Sequence, residues 1–206
     1  MYFRPGAHQE AGLAFSPLKA ITSPRPIGWI SSRGQDGSVN LAPYSYFNAI
    51  SEFPPMVIFS SAPGPGLPHK DSLRNVIETK EFVVNIVSST LGDTMNVSSA
   101  ALPYGTNEFE AAGLEMADCQ SVSAPRVAAA PAALECHLWK TVELPKPDDM
   151  EPTIMVIGTI VGFHIDDAVV VDGKVDVTRY QPLARLGYMD YARVTEVFAM
   201  PRPTIK

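Results

Sequence analysis

Two stretches of this chain carry aromatics, hydroxyls and amides at a density that suits holding a flat aromatic ligand by its face and its polar edge. They are Pro24-Arg25-Pro26-Ile27-Gly28-Trp29-Ile30-Ser31-Ser32 and Asn40-Leu41-Ala42-Pro43-Tyr44-Ser45-Tyr46-Phe47-Asn48, joined by the polar turn Arg33-Gly34-Gln35-Asp36-Gly37-Ser38. Tyr44, Tyr46 and Phe47 offer aromatic surface, and backbone groups around Ser45 and Asn48 can meet ring nitrogens and oxygens. Strict strand alternation would put Tyr44 and Tyr46 on one face and Ser45 and Phe47 on the other. All four can line one pocket only if a bulge intervenes. Trp29, on the first stretch, reads by itself more readily as core than as such a contact.

An anion could be held at either of two strand-to-helix turns. The first combines Ser60-Ser61, a Gly/Pro loop from Pro63 to Pro68, Lys70 and a helix start capped by Asp71 or Ser72. Free N–H groups at a helix N-terminus beside a lysine make an anion cradle. Asp71 argues against it, because a carboxylate there competes for the same N–H groups. The second is Ser88-Ser89-Thr90, with Ser89 at its centre. Arg185 either reaches an anionic ligand or pairs with Asp190.

Other chemistries lack their residues. No Gly-x-Gly-x-x-Gly follows a strand, and no Gly-x-x-x-x-Gly-Lys-Ser/Thr, Gly-x-Ser-x-Gly or His-Glu-x-x-His occurs. His8, His69, His137 and His164 share no metal-ligand spacing. Cys119 and Cys136 lie too far apart for a zinc knuckle or redox pair and read as two free, buried thiols in a reducing cytoplasm. The net charge of −6 argues against a nucleic-acid partner. No secretory signal is visible at Met1 to Gly6. The most apolar run, Ile154 to Phe163, is about half the ~20 residues that span a bilayer, so no membrane partner is expected.

The elements that must position these residues are short, because 19 prolines and 14 glycines punctuate the chain. Ile27 to Ser32 and Val39 to Asn48 read as hairpin partners around Asp36-Gly37. Met56 to Ser61 and Phe82 to Val87 are apolar strands flanking a helix whose Leu73, Val76 and Ile77 share a face. Thr90 with Asp93 suggests a capping box for a second helix. A short helix, Glu108 to Ala112, ends at Gly113. Leu134 to Leu144 alternates as a half-buried strand, Thr153 to Ile165 is a long strand, and Asp172-Gly173 marks a turn. The expectation is one domain over residues 1–206, with an N-terminal arm (1–20) and a C-terminal tail (186–206). Its fold is mostly β, a Greek-key-like antiparallel barrel with helical insertions.

Arg25 to Ser31, Asn40 to Asn48, Pro54 to Ser60, Lys70 to Asn75, Glu81 to Ile86, Leu134 to Cys136 and Pro182 to Gly187 occur in the order of the signatures of one family. On these motifs the chain resembles the flavin reductase-like, FMN-binding split-barrel proteins. The resemblance implies a split β-barrel, bound FMN (or FAD), a homodimer with the flavin near the subunit interface, and NAD(P)H as co-substrate. It further implies hydride transfer from nicotinamide to flavin, and a monooxygenase or other redox partner. No protein acid or base is needed for that transfer, so no catalytic side chain is expected. Trp29 matches a family position near the flavin. The implied cofactor contacts are Trp29, Ser31, Tyr44, Ser45, Tyr46, Phe47, Asn48, Ser60, Ser61, Lys70, Ser72, Ser89 and Arg185. An FMN electron carrier without a nicotinamide site, or a barrel binding module without flavin, are the competing expectations.

Overall fold

The computed structural model describes residues 1–64, 69–103 and 105–204. Seven strands form its main sheet: β1 Gly28–Arg33, β2 Val39–Tyr44, β3 Phe47–Glu52, β4 Pro55–Ser61, β5 Glu81–Ile86, β6 Ala132–Glu143 and β7 Ile154–Ile165. They lie in the order β2-β1-β5-β6-β7-β4-β3, with every neighbouring pair antiparallel. Only Ser45 and Tyr46 separate β2 from β3, yet these strands occupy opposite edges of the sheet. The sheet must therefore curl until its edges approach, which makes a barrel with a seam at Ser45–Tyr46. Ser60 N donates to Tyr46 O (2.9 Å) across that seam.

Here the expected single strand from Val39 to Asn48 gives way to two. Val39–Tyr44 pairs with β1, and Phe47–Glu52 pairs with β4. The bend at Ser45–Tyr46 resets the alternation, so Tyr44 and Phe47 both join the barrel core while Tyr46 is exposed.

Strand periodicity sorts the side chains into separate cores. Ile30, Tyr44, Val57, Phe59, Phe82, Val84, Cys136 and Val156 fill the barrel. Gly158 is required there, because a Cβ would sit 2.4 Å from Phe82 Cζ. Trp29, Leu41, Met95, Phe109 and Val127 form a second core outside the barrel. Helices α2 (Gly92–Val97) and α3 (Glu108–Ala111) supply its matching faces, whereas α1 (Asp71–Thr79) turns Leu73 and Val76 onto the barrel core. Both faces of β1 and β5 are thus buried, which suits the apolar run Phe82-Val83-Val84 of β5.

Helix α1 starts where expected but is not capped by Asp71 or Ser72. Lys70 is the N-cap and makes no side-chain cap hydrogen bond. The Thr90–Asp93 capping box also fails to form. A 3₁₀ turn, Ser89–Leu91, precedes α2, and Thr90 Oγ1 bonds with Ser88 Oγ instead. Asn107 Oδ1 caps α3 by accepting from Phe109 N. The Asp172-Gly173 turn forms, with φ of 51° and 73° at its two residues, as a primed hairpin turn needs.

The C-terminal tail is not all irregular. Tyr191–Arg193 pairs with Leu183–Arg185, which pairs with Arg25–Pro26, giving a small three-stranded sheet. Arg25 anchors this junction, donating to Thr22 O (2.9 Å), to Leu186 O (2.8 Å) and to Lys19 O. Cys119 and Cys136 are unpaired; Cys136 is buried as expected, whereas Cys119 is only half-buried. Among the described residues no helix is long and apolar enough to cross a membrane.

Candidate functional site

The first anion turn assembles from three elements. On β4, alternation sends Ser61 inward beside Phe59 and Val57, while Ser60 faces outward. Tyr44 enters from the end of β2, and Lys70 and Ser72 come from the start of α1. Ser61 is 2% and Tyr44 5% exposed. Neither Ser61 Oγ nor Tyr44 Oη has a hydrogen-bond partner among the described residues. A buried hydroxyl without a partner costs about 1–3 kcal/mol, so two side by side mark a place built for something else to bond. Burial raises the Tyr44 phenol pKa, and the nearby Ser72 and Ser61 hydroxyls oppose that rise. The phenol therefore stays protonated and can donate. Lys70 Nζ lies 5.7 Å from the centroid of the Tyr44 ring and brings the positive charge.

Ser72 is held rather than free. Its Oγ donates to Asn40 Oδ1 (2.5 Å), and Asn40 Nδ2 donates to Glu108 Oε1 (2.9 Å). Glu108 Oε2 accepts Leu41 N (3.0 Å), so α3 satisfies an edge N–H of β2. Burial raises the Glu108 pKa against these two donors. The relay Glu108–Asn40–Ser72 thus fixes the mouth of α1. Asp71 is the expected competitor; partial burial raises its pKa and Arg74 opposes that rise.

The other turn is less open. Ser89 N donates to Gln181 O (3.0 Å), Ser89 Oγ to Gln181 Oε1 (3.4 Å), and Ser88 Oγ is engaged with Thr90. These groups line a separate cavity of about 470 Å³ with Arg179 and Tyr180. Ser89 therefore does not meet the other expected contacts.

On the opposite side of Tyr44, Pro43 and Ser45 line a cavity of about 480 Å³ together with Ile27, Met95, Asn96, Ser99, Arg185, Met189 and Tyr191. Ser45 and Arg185 meet here although 140 residues separate them in sequence. Arg185 does not pair with Asp190. Its guanidinium lies 4.4 Å from the Tyr191 ring centroid and donates to Tyr191 Oη and to Tyr188 O. Asn96 and Ser99 escaped the sequence reading. They stand one helical turn apart, and that i, i+3 spacing was the only available signal.

Trp29 and Ser31 need correction. Both are wholly buried. Trp29 Nε1 donates to Ser98 Oγ (2.9 Å), and its ring belongs to the second core. Ser31 Oγ donates to Pro125 O (2.5 Å) and accepts from Asn85 Nδ2 (3.0 Å). β1 is covered on both faces and the polar atoms of both side chains already have partners inside the protein, so neither offers a free group to a ligand. Phe47 lies over Gly28, where a Cβ would be 2.6 Å from its ring. Asn48 is exposed, and its Oδ1 accepts from Ala49 N (2.9 Å). Tyr46 and Asn48 therefore remain as surface along the seam.

The architecture is a mostly antiparallel split β-barrel, the fold of flavin reductase-like proteins. The chain belongs to the family described as flavin reductase like domain, whose profile matches residues 21–183. It is 36% identical over 174 residues to an uncharacterised protein of Aquifex aeolicus, covering 84% of this chain and 86% of that protein. Its structure resembles nitrilotriacetate monooxygenase component B from Bacillus cereus (30% identity, TM-score 0.88, 97% and 98% of the two chains). It also resembles the 2-nitrobenzoate 2-nitroreductase of Pseudomonas fluorescens (29% identity, TM-score 0.83, 100% and 98%).

Proposed function

We propose that this chain is an NAD(P)H-dependent flavin reductase that binds FMN, folds as a single domain, acts as a homodimer in the cytoplasm and serves a monooxygenase or other redox partner. The observation that carries the FMN reading is the pair of buried hydroxyls of Ser61 and Tyr44, which have no hydrogen-bond partner among the described residues, at the start of α1 beside Lys70. This donor set suits a phosphate: two hydroxyls, first-turn N–H groups and one ammonium. The cavity at Ser45 and Arg185 has the volume and mixed lining of a small-ligand site. Exposed Tyr46 and Asn48 lie along the seam with half-buried Ser60, whose N–H donates to Tyr46 O.

Bound FMN would supply the hydride-accepting ring. The protein's part is to hold the phosphate through Lys70, Ser61 and Tyr44, to fix Ser72 through Asn40, and to present Ser45 and Arg185 to the polar or anionic part of the ligands. No side chain of the candidate site has to move a proton. The similarity to a monooxygenase component supports the partner.

A second reading has its own support in the similarity to a nitroreductase. In it the flavin stays bound and passes electrons to an external acceptor. The visible spectrum of the freshly purified chain, followed by anaerobic NADH or NADPH, tests both. Bleaching that requires added FMN in many turnovers supports the reductase. A tightly held flavin that is reduced once and reoxidised by a nitroaromatic supports the second reading. A chain that takes up no FMN overturns both.

A further inference from the structure

A β-bulge in β7 brings together three donor side chains that the flavin reading does not use. Across the β6–β7 ladder Ile160 stands opposite Cys136, and Gly162 opposite Glu135, so Val161 is the extra residue. Without the bulge Val161 would face Glu135, and the next residue on that face would be Phe163. With it, Gly162 faces Glu135 and His164 follows on the same face. Gly162 matters here, because a Cβ would lie 3.2 Å from Glu135 Cδ. The carboxylate crosses the glycine and reaches His164 Nε2 at 2.5 Å.

The third donor comes from the loop over this face. Cys119 Sγ, a Glu135 carboxylate oxygen and a His164 ring nitrogen all lie within 4.8 Å of one another. Glu135 is 1% exposed and is oriented by Gln120 N (2.9 Å) and Ser121 N (2.5 Å), the two residues after Cys119. Outer hydrogen bonds of this kind fix ligand carboxylates in metal sites. Glu135 Oε2 keeps a lone pair for an ion, while Oε1 already meets both Gln120 N and His164 Nε2, so a bound ion would replace the Glu135–His164 bond. A cavity of about 260 Å³, lined by Arg126, His164 and Asp166 among others, gives access at His164.

We propose that Cys119, Glu135 and His164 form a binding site for a divalent transition-metal ion of the zinc type. One sulfur, one nitrogen and one oxygen ligand suit zinc, and three protein ligands leave a fourth position for water. A thiolate and a carboxylate together neutralise the ion. The ligands come from the Cys119 loop, β6 and β7, so the metal would clip that loop to the barrel and stabilise the fold.

The untagged chain, stripped with a chelator and dialysed, is titrated with Co²⁺ as a spectroscopic stand-in. A thiolate-to-cobalt charge-transfer band saturating at one equivalent is expected, with a thermal midpoint that rises with Co²⁺ and with Zn²⁺. Cys119→Ser and His164→Ala should lose the band and the thermal rise while keeping the far-ultraviolet dichroism of the parent. Absence of the band, its survival in Cys119→Ser, or metal uptake without thermal stabilisation overturns the site.

Discussion

Single side chains separate ligand contacts from scaffolding. Lys70→Ala removes one charge-assisted bond of about 1.5–3 kcal/mol, so FMN affinity should fall tenfold or more in a fluorescence titration. Unchanged affinity would move the phosphate elsewhere. Ser61→Ala should act in opposite directions on two measurements. It removes a buried hydroxyl with no partner among the described residues, so the flavin-free protein should gain about 1 kcal/mol in urea unfolding, while FMN affinity drops. Trp29→Phe keeps most of the buried ring but removes the indole donor to Ser98 Oγ, which keeps only its bond to Met95 O. It should cost about 1 kcal/mol of stability and leave FMN affinity alone. A large loss of affinity in Trp29→Phe would return that residue to the flavin site.

Elements were legible in the sequence where the signal was local. The apolar strands, the Asp36-Gly37 and Asp172-Gly173 turns and the face of α1 follow from periodicity and turn chemistry. The break at Ser45–Tyr46 did not, because it is set by closure of the barrel rather than by those two residues. The hydroxyls of Ser61, Tyr44 and Ser72 could be named as donors, but their convergence depends on pairings between distant segments. Trp29 finds Ser98 69 positions away and Arg185 meets Ser45 across the whole chain, beyond any local pattern. Helix α3 shows the same long reach, because Glu108 ties it to β2 and, through Asn40, to the start of α1. Burial raises the Glu108 pKa in the folded chain, so the folded state holds that proton to higher pH than the unfolded state. The group's contribution to stability is fully present below its unfolded pKa and is lost as pH rises through the raised folded one. Glu108→Gln is neutral throughout. Urea midpoints measured across the acidic range should therefore fall less with rising pH in Glu108→Gln than in the parent. Parallel curves would show that Glu108 is not the group titrating there.

At the scale of the whole molecule, the barrel leaves apolar surface that one chain does not cover. Trp139 on β6 is 63% exposed and Phe163 on β7 60%, and Val161 and Ile165 beside Phe163 are exposed as well. These side chains sit on the two longest strands, which share the most extensive pairing of the sheet. Single exposed apolar residues are ordinary; several on adjoining strands are where the proposed homodimer would pack. A second copy of this chain is the occupant the proposed homodimer requires. An isologous contact would bring each of these residues against the same surface of the other copy. Sedimentation velocity on the flavin-loaded protein should give twice the chain mass of 22.3 kDa. Phe163→Asp buries two like charges in a symmetric contact and should shift the boundary to the monomer. If the flavin lies near the interface, the same substitution should also weaken FMN binding, although Phe163 is not among the residues at the anion cradle or the Ser45 cavity. A monomeric parent would remove the dimer from the proposal and leave these strands to a different partner. A Phe163→Asp monomer with unchanged FMN affinity would confine the flavin site to one chain.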